Sequence, residues 1–309
     1  TFETGKLAGQ AGGAVTLQVG DTMVLAAATM SDTPRQGIDF LPLSVDYEER
    51  MYAGGRIPGS FFRREGRPSE EAILTARLTD RPLRPLFPKD LRLDIQVILY
   101  ALSTDTEHPI DILTVTAASA AIMISDIPWA GPVGAVRVGY VDGEFVSNPT
   151  FEQMKLSSLD LRLAGTRDAI LMVECGAKEV DEALMVAALE FGHKSLQPLI
   201  DIQEQMANEI GKAERPYTPP IADEALSQTV ESFVAPKLNA ILDQPYVKAE
   251  RNNQLEQIKS EMLENIAGED EEKAAAALGA FETVYKNIVR QRIIQQGTRL
   301  DGRGLADIR

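Results

Sequence analysis

The sequence has 309 residues, 44% hydrophobic and 25% charged, with a formal net charge of −15. A chain of this size buries one large core or two medium ones, and it contains neither an apolar stretch of bilayer-spanning length nor a signal-peptide pattern. The single cysteine, Cys175, permits no internal disulfide and fits a reducing compartment, and the two histidines, His108 and His193, lack metal-ligand spacing.

Thr1 opens the chain without a methionine, which implies a missing leader. Residues 14–19 and 22–30 are β-rich runs joined at Gly20-Asp21, a hairpin signal. Residues 41–49 alternate through Leu43, Val45 and Tyr47, giving a third strand with one buried face. Next comes a basic loop, then a helix over residues 69–81. Pro68 and Ser69 precede Glu70 and Glu71, a cap followed by acids in the positive first turn, and Pro82, Pro85 and Pro88 stop it. On this helix Ile73, Leu74 and Leu78 are expected to face a core.

Residues 93–102 read as a strand and 109–124 as a buried helix. Hairpins follow at 133–147, turning at Asp142-Gly143, and at 156–174, with Leu159, Leu161 and Leu163 on one side. Residues 178–211 form one long helix or two, interrupted near Pro198. Cys175 is expected to pack within a strand. Arg215-Pro216-Tyr217-Thr218-Pro219-Pro220 is a proline linker. Beyond it, residues 222–239, 246–266 and 269–296 read as three amphipathic helices in a small antiparallel bundle. The fold class is α+β: mixed sheets packed with helices, followed by a small all-α bundle.

An acidic chain argues against nucleic acid, except that charge reverses locally. Between Arg50 and Arg92 stand Arg50, Arg56, Arg63, Arg64, Arg67, Arg77, Arg81, Arg84, Lys89 and Arg92, ten cations against the five acids Glu65, Glu70, Glu71, Asp80 and Asp90. Nine of the ten are arginine, whose planar fork grips phosphate and stacks on flat rings. Phe61 and Phe62 stand directly before Arg63 and Arg64, after a glycine-rich segment, the pairing of rings and guanidinium groups that single-stranded nucleic acid binding uses. The competing reading puts both rings in a core and the arginines on a solvated surface. Arg77 and Arg81 share a helix face and Arg84 follows just past its end.

The runs Ala53 to Glu70, with Phe61-Phe62-Arg63-Arg64-Glu65-Gly66-Arg67-Pro68-Ser69, and Leu78 to Pro88 resemble the first core domain of bacterial polynucleotide phosphorylase. The resemblance extends from Thr4-Gly5 to Arg309. It implies a first RNase PH-like core domain over 1–214, an all-helical domain over 215–297, and the start of a second core at 298–309, where Arg299-Leu300-Asp301-Gly302-Arg303-Gly304 resembles that domain's opening signature. It also implies that Phe61, Phe62, Arg63, Arg64 and Arg67 line a neck threaded by single-stranded RNA, with Arg77, Arg81 and Arg84 along the path inward. The implied whole is a cytoplasmic homotrimer that uses inorganic phosphate to shorten RNA, assisted by Mg2+, alongside RNA-degradation complex proteins and away from membranes.

The same resemblance implies that this core is the non-catalytic copy. Where the active core has a serine-rich phosphate turn, this chain has Asp105-Thr106-Glu107-His108-Pro109-Ile110-Asp111, whose acids repel phosphate. Of the metal-binding aspartate pair and the lysine beyond it, only the second aspartate is matched, by Asp160. Met154 stands at the first position and Arg162 at the lysine, and one carboxylate is a poor magnesium site. Asp160 and Arg162 then read as a strand-surface pair, with no catalytic or metal residue in this part. Two other classes stay open: a binding and scaffold module, and a small-molecule phosphotransfer enzyme on a related fold, although no phosphate-cradling glycine loop is present.

Overall fold

A computed structural model describes the chain except residues 35–37, 39, 58, 60–64, 218–222, 245–246, 269 and 309. It divides into two compact units, Thr1–Pro219 and Pro220–Arg309.

The first unit contains two sheets. Strands β1 (Phe2–Thr4), β2 (Gly13–Val19), β3 (Thr22–Pro34), β4 (Leu43–Glu48) and β5 (Leu93–Ser103) form one, in the order β1-β2-β3-β5-β4. Strand β5 is inscribed in the sequence as a strict alternation, with Leu93, Ile95, Val97, Leu99 and Ala101 buried. All neighbours in this sheet are antiparallel except β4 and β5, which run parallel. Strands β6 (Gly134–Val141), β7 (Glu144–Ser147), β8 (Leu159–Gly165) and β9 (Ile170–Ala177) form an antiparallel second sheet in the order β7-β6-β8-β9. Cys175 does sit in a strand, β9, but this is an edge strand and the thiol is exposed.

Helix α1 (Glu70–Leu83) follows β4, and α2 (Asp111–Met123) follows β5. Helix α2 packs against β2 and β3 of the first sheet and β6 of the second, so it is apolar or small all round and nearly every residue is buried. Its alanines allow close approach: a Cβ on Gly13 of β2 would lie 2.0 Å from the Ala121 carbonyl oxygen. Its hydroxyls satisfy buried backbone, with the Val133 and Ala135 amides donating to Ser119 Oγ and Thr116 Oγ1 at 2.9 and 3.2 Å. Short α3 (Phe151–Leu156) starts on a capping box between Thr150 and Gln153. The 178–211 region is two helices, α4 (Glu182–Ser195) and α5 (Gln197–Ile210).

Helix α1 departs from expectation twice. It runs through Pro82 to Leu83 before tightening into a 3₁₀ turn at Arg84–Leu86, because the proline lies in the last turn, where one lost amide bond is tolerated. Its buried stripe is Ala72, Thr75, Leu78, Thr79, Pro82 and Leu83, of which Ala72, Thr75 and Thr79 are small enough to let it lie close to α2 and β4. Leu78 is in the core as expected. Ile73 and Leu74 lie off that stripe and are 51% and 57% exposed.

The second unit has helices α6 (Glu224–Leu242), α7 (Lys248–Met262, extended by a π turn at Leu263–Ala267) and α8 (Glu271–Gln296). Leu226, Val230, Val234, Leu238 and Ile241 of α6 recur at helical spacing and pack with Ile258, Met262, Ala277 and Phe281. Among the described residues, no helix is long and apolar enough to cross a membrane.

Candidate nucleic-acid interface

Helix α1 is fixed at its start by Ser69, whose Oγ accepts from the Ala72 amide at 3.0 Å and donates to Glu49 Oε2 at 2.7 Å. With Thr79 Oγ1 bonded to Thr114 of α2 at 2.8 Å, the helix is locked inward along one side, which aims its arginines outward. Arg77 and Arg81 line a groove of about 400 Å³ between α1 and β4, shared with Asp46, Glu48 and Asp80. A second groove of about 610 Å³ adjoins it, with Tyr47, Glu48 and Pro68 common to both, and carries Arg50, Arg56 and Arg67 along with Glu49 and Glu65.

The arginines are not equivalent. Arg67 and Arg77 are exposed and, among the described residues, hold no carboxylate; Arg56 is in the same state. Arg81 makes one ion pair, Nη1 to Glu174 Oε2 at 3.1 Å, between side chains 52% and 48% exposed. Arg84, expected along an RNA path, is bonded within the fold. Its Nε and Nη2 donate to both oxygens of Asp80 at 2.9 and 2.6 Å, and Nη1 and Nη2 reach the Leu41 and Leu43 carbonyls at 3.3 and 3.0 Å. That guanidinium ties α1 to the entry of β4. Arg50 is likewise paired, with Glu48 at 2.9 Å and Glu65 at 3.4 Å. Phe61, Phe62, Arg63 and Arg64 lie outside the described residues.

Across β6 and β8 a second charged cluster forms. Arg137 and Arg162 stand directly opposite in register, a repulsive arrangement that two carboxylates relieve. Arg137 donates from Nε and Nη2 to the two oxygens of Asp160, each at 2.7 Å, and Arg162 Nε donates to Asp111 Oδ2 at 2.9 Å. Arg162 also approaches Asp160 at 3.6 Å, so that pair exists but is the weaker of the two Asp160 makes. Burial works to raise the Asp160 pKa, but the Arg137 hydrogen bond and the charges of Arg137 and Arg162 outweigh it and hold the carboxyl below its ordinary value. Neighbouring Tyr47 is pushed up, first by burial and then by Glu49 and Asp111.

The 105–111 stretch is organised at its start by Asp105, which also accepts from the Asp21 amide at 3.2 Å. Asp105 Oδ1 accepts from the Glu107 and His108 amides at 2.9 and 2.7 Å, and Oδ2 faces His108 Nδ1 at 2.7 Å. The little burial Asp105 has raises its pKa, but those bonds, the His108 amide foremost, hold it far below the usual carboxylate range. A magnesium ion does not fit the Asp160 position: both oxygens already face a guanidinium, and Arg162 adds a second cation. Among the described residues no group of three or more His, Cys, Asp or Glu is arranged to hold a metal.

Two residues escaped the sequence reading. Tyr52, an exposed ring two residues after Arg50, could have been found by extending the search for aromatics upstream of the glycine segment. Glu174 lies 93 residues from Arg81, and no local pattern announces it.

Family models match nearly the whole chain. Residues 1–128 match domain 1 of the 3′ exoribonuclease family and residues 131–195 match its domain 2, the two together covering more than half of the chain. Residues 225–304 match the RNA binding domain of polyribonucleotide nucleotidyltransferase. The chain belongs to the 3′ exoribonuclease family.

Polyribonucleotide nucleotidyltransferases of Roseiflexus sp. (strain RS-1) and Thermus thermophilus are 47% and 48% identical over 314 and 316 residues, covering 100% of this chain. The chain spans 42% and 44% of those relatives' lengths, less than half. Two solved structures share the fold at a TM-score of 0.55 each. An Archaeoglobus fulgidus exosome chain, from a structure with RNA bound to the active site, is 18% identical, covering 65% of this chain and 87% of that one. Rice (Oryza sativa) Rrp46 is 16% identical, covering 67% and 93%.

Proposed function

We propose that this chain is the RNA-holding N-terminal part of a polyribonucleotide nucleotidyltransferase, a phosphate-dependent 3′-to-5′ exoribonuclease acting on single-stranded RNA. Inorganic phosphate attacks the phosphorus of the 3′-terminal phosphodiester and the bond to the preceding 3′ oxygen breaks. That oxygen takes a proton, and the last nucleotide leaves as a nucleoside diphosphate; the reaction also runs in reverse.

The observation that carries the reading within this chain is Arg77. It is an exposed guanidinium with no carboxylate partner among the described residues, set in a groove beside Arg81 and adjoining the groove of Arg67 and Arg56. Free arginines along a continuous furrow suit phosphate oxygens of a polyanion. The names of the relatives, and the RNA-binding description of the model matching 225–304, support the same partner. Phe61, Phe62, Arg63, Arg64 and Arg67 form the neck in this reading, and Arg77 and Arg81 the path beyond it. Arg84 is a structural clamp.

Residues 1–214 are assigned to a first core domain without catalytic residues, 215–297 to the all-helical domain, and 298–309 to the start of a second core that holds the phosphate pocket and Mg2+. The assembly is a cytoplasmic homotrimer working with other RNA-degradation proteins. The Arg137–Asp160 grip supports the non-catalytic assignment, since it fills with a cation the place a metal would take.

The test has two arms. Full-length protein carrying Arg77→Ala with Arg67→Ala should bind a single-stranded oligoadenylate more weakly, with a salt slope shallower by about 0.7 per lost phosphate contact. An unchanged slope overturns the RNA reading. Residues 1–309 alone should release no nucleoside diphosphate from that RNA and phosphate; release above background overturns the non-catalytic assignment.

A further inference from the structure

Arg81 and Glu174 form a contact that the RNA reading leaves without a role. Glu174 lies on edge strand β9, directly opposite Arg162 of β8 in register, and its two oxygens serve two cations. Oε2 accepts from Arg81 Nη1 at 3.1 Å, and Oε1 lies 3.5 Å from Arg162 Nη1. Arg162 is itself anchored by Asp111 at 2.9 Å. Arg81 has no second carboxylate within ion-pair distance among the described residues, and it lines the groove it shares with Arg77.

We infer that Glu174 is a built-in competitor for Arg81: its carboxylate occupies the guanidinium until a phosphate of the bound strand displaces it. The inference rests on the RNA reading and adds a residue that sets how tightly the groove holds its strand. Three features make the exchange easy. The pair is half-exposed and joined by a single hydrogen bond, so it is weakly held. A phosphate can take two parallel bonds from the guanidinium fork where Glu174 takes one. When Arg81 leaves, Glu174 keeps Arg162 and is not left as an unpaired charge.

The experiment measures binding of a labelled single-stranded oligoadenylate by full-length protein across a salt series, for wild type, Glu174→Gln, Arg81→Ala and the double variant. Glu174→Gln should bind roughly two- to fivefold tighter at low salt, the range set by an exposed ion pair. Removing the competitor should also steepen the salt slope, by up to about 0.7. In the Arg81→Ala background the same substitution should change neither quantity.

A gain that persists without Arg81 reduces Glu174 to a general negative charge near the strand and overturns the inference, as does an unchanged affinity and slope in the single variant. If Arg77→Ala and Arg67→Ala also leave binding untouched, the RNA reading has failed and the inference falls with it. If they weaken binding while Glu174→Gln does nothing, the competition alone is wrong. Thermal unfolding of each variant separates these outcomes from misfolding, and Arg162 retains Asp111 and Asp160 in all of them.

Discussion

Arg137 and Asp160 meet diagonally across β6 and β8 with both ends of the guanidinium fork engaged, Nε to Oδ1 and Nη2 to Oδ2, each at 2.7 Å. Arg137 is only 11% exposed at its side chain, so the pair is held largely away from water. Breaking one partner leaves the other charge poorly compensated. Arg137→Met should lower unfolding stability by about 2 kcal/mol, below the ~3–5 range for fully buried pairs because Asp160 keeps some solvent and Arg162. Adding Asp160→Asn should recover part of that loss. Urea denaturation of the four-member cycle measures it, and purely additive effects would rule out the coupling.

Acid should act on the first unit through Asp105 and Asp160. Both have folded pKa values below their ordinary ones, so their contribution is present above the normal carboxylate pKa near ~4 and is lost as pH falls through the folded value. The melting temperature should therefore drop on acidification below about pH 4, and Asp105→Asn should make that drop shallower. Melting curves from about pH 6 to about pH 3 test the sign. An Asn variant with an unaltered acid limb would contradict the hydrogen-bonded account of Asp105.

Arg84 and Arg77 should separate stability from binding. Arg84→Ala removes two hydrogen bonds to Asp80 of α1 and two to the Leu41 and Leu43 carbonyls at the entry of β4, and should cost about 1–2 kcal/mol while leaving the RNA salt slope intact. Arg84→Lys should not restore it, since an ammonium cannot span Asp80 and two carbonyls at once. Arg77→Ala should do the reverse, flattening the slope with stability within about 0.5 kcal/mol of wild type. A salt slope that moves with Arg84 would return that residue to the RNA path.

Ser69→Ala removes the cap of α1 and should cost about 1 kcal/mol, read by thermal unfolding. Ser69→Asn should restore most of it. Ser69→Asp should do worse than Asn despite being an equally good cap, because Glu49 lies 2.7 Å from the serine hydroxyl.

The strands were legible wherever alternation was strict, as from Leu93 to Ala101, because only an extended chain puts every second side chain on one face. Helix α2 was legible as buried because it carries almost no charge. Helix α3 was missed although Thr150 and Gln153 spell its capping box, since six residues leave no periodicity to read. The orientation of α1 was misjudged at Ile73 and Leu74: the sequence favoured large apolar residues for the core, while packing against α2 required small ones such as Ala72 and Thr75. The basic stretch was legible as charge but not as contacts. Which arginines remain free depends on acids such as Glu174, brought in by sheet register and not by proximity in the chain.

The parallel pairing of β4 with β5 has an evolutionary corollary. Parallel neighbours oblige the chain to travel back along the sheet before pairing again, and here the return leg is the arginine-rich stretch itself. Its far end is moored by α1, but the described residues between β4 and α1 belong to no ladder. Residues can be inserted or exchanged there without shifting any strand by one position, so the grip on a ligand can drift between lineages while the scaffold beneath stays in register.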